Sequence, residues 1–145
     1  MSKSRTQTRR RKVEPVTFDT VRKMALALPG VEEGTSYGTP AFRCNGKILA
    51  RFHQDGESLA LKVEYVAREV LMANHPQTFY ITDHYRCWPL MLVRLSNVDS
   101  GLLRSLIEEA WRGLASKRMV AAFESSRDHN LAIRSLERTT STRRK

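Results

Sequence analysis

Histidine and cysteine carry the most versatile chemistry in this chain, because both side chains bind metal ions. His84 and Cys87 are separated by two residues, and His53 and Cys44 are potential partners from an earlier segment. A structural zinc site normally takes four such ligands at recurrent spacings, and one pair does not supply them. We therefore expect no metal and no cofactor. We interpret the two cysteines as ordinary buried thiols rather than as a disulfide.

The acidic residues do not form a recognisable catalytic group. Glu32-Glu33 precedes a glycine-rich turn, and Glu108-Glu109 lies on a helix, where adjacent side chains point about 100° apart. Gly46-Lys47 is followed by isoleucine instead of the serine or threonine of a phosphate-binding loop. No serine or cysteine has the flanking residues of a nucleophile elbow. We expect that the protein is not an enzyme, and an enzyme with an unfamiliar arrangement stays a third hypothesis.

The basic residues are concentrated at the two ends of the chain. The 145 residues carry a formal charge of +10; residues 1–12 hold six basic and no acidic residues, and residues 125–145 hold six basic and two acidic. The rest of the chain is balanced, with thirteen of each. We interpret 1–14 and 125–145 as flexible basic tails around a single domain, 15–124. Such tails either contact phosphates in a salt-dependent way or are inert solvated termini.

The apolar segments are too short for a membrane protein. No run approaches the roughly 18 apolar residues of a membrane span, and no apolar segment follows the N-terminal charges as in a signal peptide. With two cysteines in the whole chain, a cytoplasmic protein is the expectation.

The spacing of apolar residues predicts three helices, over residues 17–28, 65–74 and 100–118. The second helix carries Val66, Val70 and Ala73 on one side. Turn signals such as Asn45-Gly46 separate short apolar runs that we interpret as strands; these are residues 35–36, 41–44, 47–52, 58–62, 78–81 and 88–95. The order α-β-β-β-β-α-β-β-α predicts an α+β domain with helices packed on one face of an antiparallel sheet.

Alternation along the strand at 47–52 assigns its side chains to two faces. Ile48, Ala50 and Phe52 are expected to face the helices, and Lys47, Leu49, Arg51 and His53 to face away. A basic outer face would contact phosphates, and a nearby Trp88 or Tyr85 would stack on a base. The alternative is that these cations serve solubility and protect the sheet edges. The predicted nucleic-acid-binding residues are Arg43, Lys47, Arg51, Lys62, Arg86 and Trp88.

A series of short motifs resembles the MmcQ/YjbR family over roughly residues 16–123. The series runs from LALPGVEE at 26–33 through GTPAF at 38–42, Gly46-Lys47 and Leu61-Lys62 to a late Trp88. The resemblance implies a CyaY-like (frataxin-like) α+β fold and carries the family's description as DNA-binding. Lys47, Lys62 and Trp88 match basic and aromatic positions of the family, and His84 matches a polar one.

Two features depart from what the resemblance implies. Pro89 directly follows the tryptophan, which puts the local geometry in doubt. Frataxins bind iron along an acidic ridge on the first helix, whereas here that helix has only Asp19, beside Arg22 and Lys23. Iron binding is therefore not expected.

Two functions from different classes follow. The first is a cytoplasmic, non-enzymatic protein that binds nucleic acid, with DNA expected over RNA, through its tails and the basic sheet face. The alternative is a protein-interaction or small-ligand-binding module with inert tails. The sequence leaves the oligomeric state open.

Overall fold

The computed structural model describes residues 16–128, so both proposed tails lie largely outside the described residues. The first helix, α1, spans Phe18–Leu26 and begins at a capping box in which Thr17 and Thr20 satisfy each other's backbone N–H groups. Gly30, at φ +75, lies in the turn that follows the helix.

The centre of the domain is a six-stranded antiparallel sheet, which confirms the predicted α+β class. Asn45 and Gly46 both adopt positive φ, as the predicted hairpin between the second and third strands requires. The spatial order is β1-β2-β3-β4-β6-β5. The strands are β1 (Val31–Ser36), β2 (Thr39–Cys44), β3 (Lys47–Phe52), β4 (Ser58–Lys62), β5 (Phe79–Tyr80) and β6 (Leu90–Arg94).

Three more α-helices follow α1 along the chain. They are α2 (Tyr65–Asn74), α3 (Ser100–Leu114) and α4, which covers residues 117–128; a short 3-10 helix also spans Asp83–Tyr85. The regularly spaced apolar residues of α3, such as Leu103 and Ile107, pack inward. Trp111 of the same helix donates a hydrogen bond from Nε1 to the carbonyl of Pro29 at 2.8 Å. Helix α4 crosses residue 124, where we placed the domain boundary. No helix within residues 16–128 is long and apolar enough to cross a membrane.

The two faces of the sheet are covered differently. On the face that we call the helix side, α1 and α3 pack on strand residues such as Phe42, Leu59 and Leu61. On the opposite face, the loop side, Tyr85 from the 3-10 helix packs against Ala60 and Leu92. Helices therefore cover one face, and an irregular segment covers part of the other.

The assignment of side chains along β3 is partly wrong, because the strand contains a bulge. Phe42 pairs with Ala50 whereas Arg43 pairs with Ile48, so Leu49 is an extra residue in the ladder. As a result, Leu49 joins the helix-side core together with Ala50. Ile48 instead lines a cavity on the loop side with Arg51.

Helix α2 is oriented differently from what its apolar stripe suggests. Val66 is 78% exposed, and Val70 and Ala73 are also exposed. The side chains that reach the core are those of Leu71 and Met72, which are only partly buried. The buried residue of this helix is Arg68, which has a role in the candidate site.

Candidate functional site

A cavity of about 530 Å³ opens on the loop side of the sheet. Lys47, at the start of β3, and Lys62, at the end of β4, lie at the same end of the sheet because the two strands are antiparallel neighbours. Arg51 enters from β3 and Trp88 from the segment that precedes β6. We call this the basic cavity; it is lined by Ser36, Tyr37, Lys47, Ile48, Arg51, Lys62, His84, Tyr85, Trp88, Pro89, Leu90 and Leu114.

A second cavity of about 350 Å³ shares four of these lining residues, Tyr37, Arg51, His84 and Tyr85. Its remaining residues include His53. The shared walls make the two cavities neighbours on one surface, and Arg51 and its aromatic partners stand between them.

Neither loop-side cavity is lined by an aspartate or a glutamate. None of the ion pairs within residues 16–128 involves Lys47, Arg51 or Lys62. By contrast, a helix-side cavity of about 350 Å³ mixes Lys23 and Arg104 with Asp19 and Glu108. The walls of these two cavities therefore carry a net positive charge, although the body of the chain is electrically balanced.

Arg51 is the most buried cation of the basic cavity, at 9% exposure. Its guanidinium donates a hydrogen bond to the hydroxyl of Tyr85. The carbon of the guanidinium lies 5.5 Å from the ring centroid of Tyr37 and 5.7 Å from that of Tyr85. Cation–π contacts and one neutral hydrogen bond stabilise this charge less than a carboxylate would.

Arg68 holds the segment that carries Trp88, and the sequence analysis missed it. This side chain is 4% exposed. Its guanidinium donates to the backbone carbonyls of Trp88 at 2.7 Å, Leu90 at 3.0 Å, and Tyr85 and Arg86 at 3.1 Å each. On a helical wheel Arg68 is an ordinary polar position, and the carbonyls that it binds lie seventeen or more residues away, so no local signal marks it.

Trp88 lies on this fixed segment with 57% of its surface exposed. The hydroxyl of Tyr65 adds a further hydrogen bond, to the carbonyl of Cys87 at 2.9 Å. A large exposed aromatic side chain on an anchored backbone offers a flat surface on which a ring could stack, and the backbone beneath it needs no further ordering.

Tyr37 is a second exposed aromatic residue that the sequence analysis did not single out. It occupies the turn between β1 and β2 and is 81% exposed. Its φ is +52, a left-handed conformation that is unfavourable for a bulky residue, and Gly38 follows at φ +80. In the dipeptide Tyr37-Gly38, only the glycine is typical of a turn. The sequence therefore predicts a turn here but gives no special role to the tyrosine.

Two predicted binding residues lie outside the basic cavity. Arg43 donates to the carbonyl of Thr35 at 3.1 Å and so extends toward β1. Arg86 is exposed and pairs with Asp83 at 2.7 Å; this hydrogen bond and the charge of the carboxylate raise the pKa of Arg86. Tyr85, the predicted alternative to Trp88 for base stacking, is 2% exposed and contacts Arg51 instead.

The four candidate metal ligands are divided between the two sides of the sheet. Cys44 lies in the helix-side core, where burial raises the pKa of its thiol. His53 and His84 line the loop-side cavities, and the Nδ1 atom of His53 is buried without a hydrogen-bond partner. The expectation that both thiols are buried is wrong for Cys87, which is exposed. Within the described part of the chain, no three His, Cys, Asp or Glu residues are grouped as metal ligands.

Comparisons of the sequence and of the structure with known proteins point to the same family. The model of the YjbR family matches residues 26–113. Two uncharacterized mycobacterial proteins, Rv2570 of Mycobacterium tuberculosis and Mb2600 of Mycobacterium bovis, are each 40% identical over 53 residues. That match covers 37% of this chain and 41% of each relative. The crystal structure of Deinococcus radiodurans protein DR2400, with family-model domain DUF419, has a TM-score of 0.58 and 26% identity, over 66% of this chain and 75% of that one.

Proposed function

The chain belongs to the YjbR family, and we propose that it is a non-enzymatic protein that binds nucleic acid through the basic cavity. In this proposal Lys47, Arg51 and Lys62 contact phosphate groups, and DNA is the first polymer to test. The family resemblance favours the same class of ligand.

The observation that carries the proposal is the guanidinium of Arg51, buried beside a cavity whose walls contain no carboxylate. Removing a cation from water without an opposite charge costs free energy, and a bound anion recovers part of it. Lys47 and Lys62 line the same cavity and add two more charges. Three cations around one concave surface suit a polyanion better than a neutral ligand.

The charges at the two ends of the chain add to this attraction. Residues 1–12 contain six basic residues and no acidic ones. Contacts between such segments and phosphates do not depend on base sequence, and they weaken steeply as salt increases. The tails therefore supply general affinity, and the basic cavity supplies the contacts that a point mutation can remove.

Fluorescence anisotropy with a labelled DNA 20-mer, single-stranded or as a duplex, tests the proposal on the full chain. We expect Lys47→Ala, Lys62→Ala and Arg51→Met each to weaken binding to the better ligand about 3- to 10-fold at low salt. Each substitution should also reduce the slope of log affinity against log salt by about 1. Lys23→Ala and Arg104→Ala, which remove single charges from the helix-side cavity, are the matched controls and should stay within about twofold.

Equal losses in the cavity variants and the helix-side controls would mean that net charge and the tails account for all the binding, and the proposed site would be wrong. Absence of binding by the unaltered chain at low salt would refute the function itself.

A second candidate is supported by the shape of the cavity. A volume of about 530 Å³ lies within the range of sites for small ligands, about 300–1,000 Å³. The same cations would then hold a small phosphorylated or carboxylated molecule. Competition with a mononucleotide distinguishes the two, because displacement of the 20-mer at comparable molar concentrations favours the small ligand.

A further inference from the structure

We propose that the basic cavity receives single, unstacked bases of a strand, so that the protein prefers single-stranded nucleic acid to a duplex. This inference rests on the proposed function and specifies its substrate class. The base would stack on Trp88, with Tyr37 as a second aromatic residue of the same cavity, and the flanking phosphates would contact Lys47, Arg51 and Lys62.

The shape of the site is the first reason. A double helix shows proteins its phosphates and the edges of its bases, which are read by helices or strands that protrude into a groove. The basic cavity is concave, and its walls come from the sheet and from the anchored Trp88 segment. A recess of about 530 Å³ lies within the size range of small-ligand sites. It accommodates a nucleotide or two, but not the cross-section of a duplex, which exceeds the width of about 12 Å of its own major groove.

The composition of the walls is the second reason. Apolar and aromatic residues, among them Ile48, Trp88 and Leu90, lie beside the three cations. Phosphate alone needs no apolar wall. A nucleotide presents both a charged group and a flat ring, and aromatic stacking next to a basic groove is how proteins hold single strands.

The exposure of the two aromatic residues is the third reason. Trp88 is 57% and Tyr37 is 81% exposed. Arg68 fixes the backbone at Trp88 with hydrogen bonds to four carbonyls, and Tyr37 keeps a left-handed backbone at φ +52. Keeping two large aromatic side chains exposed brings the fold no core packing, but it provides stacking surfaces on a backbone that is already ordered.

Tryptophan fluorescence is a direct probe, because the chain has two tryptophans and Trp111 is fully buried. The full-length protein is titrated with a 12-nucleotide single strand, with the corresponding duplex and with an abasic strand of equal charge. We expect the single strand to quench the emission of Trp88 and to bind at least about tenfold more tightly than the other two. Trp88→Ala should reduce its affinity about 5- to 100-fold and leave binding of the abasic strand unchanged.

Two further variants separate stacking from a change in structure. Trp88→Phe keeps an aromatic face and should retain most of the affinity. Tyr37→Asn removes the cation–π contact with Arg51 but relieves the left-handed backbone, which asparagine tolerates. Because the two effects offset each other, it should weaken binding of the single strand with little change in the stability of the fold.

The opposing outcomes are distinct. If the single strand and the abasic strand bind equally and the emission does not change, the stacking inference is wrong; a loss of both affinities in Lys62→Ala would still support phosphate binding in the cavity. Tighter binding of the duplex would also overturn the inference. If none of the three strands binds, the proposed function fails as well.

Discussion

The helix side and the loop side of the sheet are built on different physical principles. On the helix side, α1 and α3 contribute regularly spaced apolar side chains to one large core. On the loop side, a smaller cluster around Ala60, Tyr85 and Leu92 is bordered by buried cations. The first surface is held by burial of apolar area, and the second by hydrogen bonds from Arg68 and by contacts around Arg51.

The two faces of the sheet show how one domain can place the residues that stabilise the fold apart from the residues proposed to bind a ligand. Apolar burial is non-directional and stabilises the fold as a whole. A buried guanidinium with neither a carboxylate nor several carbonyl partners, such as that of Arg51, contributes little net stability, but it fixes donors and charge at a defined place. Concentrating such groups on one face leaves the other face free to supply the free energy of folding.

The largest expected effect contrasts the two tryptophans. Trp111→Ala removes a fully buried side chain and its hydrogen bond to Pro29, and we expect it to lower the free energy of unfolding by about 3–5 kcal/mol. Trp88→Ala, at an exposed position, should change it by less than about 0.5 kcal/mol. Urea denaturation followed by circular dichroism measures both. Similar losses in the two variants would show that the loop side also carries the stability of the fold.

The next effect concerns the anchor of the loop side. Arg68→Met removes the donors to four carbonyls, and we expect a loss of about 2 kcal/mol, since some desolvation cost disappears with the charge. Hydrogen exchange should accelerate at the amides of residues 85–88 and of Leu90 more than in α3. Arg86→Ala, an exposed neighbour in the same segment, is the control and should leave denaturation unchanged. Uniform acceleration across the domain would assign Arg68 to general stability.

Most of the helix side could be predicted from the sequence, because its signals are local. The apolar spacing of α3 and the Asn45-Gly46 turn each depend on a few neighbouring residues. The bulge at Leu49 has no such signal, since no glycine marks it, and it reverses the faces of Ile48 and Leu49. A period of two predicts strand faces only where the ladder is unbroken.

The candidate site was predictable to the extent that it follows from strand order. Lys47 and Lys62 line the same cavity because β3 starts and β4 ends at the same end of the sheet, where the two strands are antiparallel neighbours. The orientation of α2 was not predictable, since its buried residue is the charged Arg68 and its valines face outward. The orientation of the helix follows from hydrogen bonds between Arg68 and carbonyls that are distant in sequence. Helical periodicity contains no information about such partners. That these residues bind nucleic acid stays a prediction.

A smaller effect on stability distinguishes Arg51 from Arg68. Arg51→Met replaces a buried cation that has no carboxylate partner among the described residues with an apolar side chain, so we expect the free energy of unfolding to stay within about 1 kcal/mol. The melting temperature of the unaltered chain should rise with a bound single-stranded 12-mer, and this rise should be much smaller in Arg51→Met. An equal rise in both proteins would mean that Arg51 does not face the ligand.

The smallest expected effect is a difference in the reaction rates of the two thiols, each of which reports on one side of the sheet. Cys87 is exposed next to Trp88, whereas Cys44 is buried in the helix-side core, where burial raises the pKa of its thiol. In the native protein, one thiol per chain should therefore react with an aromatic disulfide reagent at neutral pH and release one equivalent of the reagent's thiolate. Native Cys87→Ser should release none. Cys44 should react only as the domain unfolds, so its slow rate measures opening of the helix side.

A saturating single strand should slow the reaction of Cys87 by covering the neighbouring Trp88. If it slows Cys44 alone, the strand stabilises the domain from a site elsewhere, and the loop side is not the binding face.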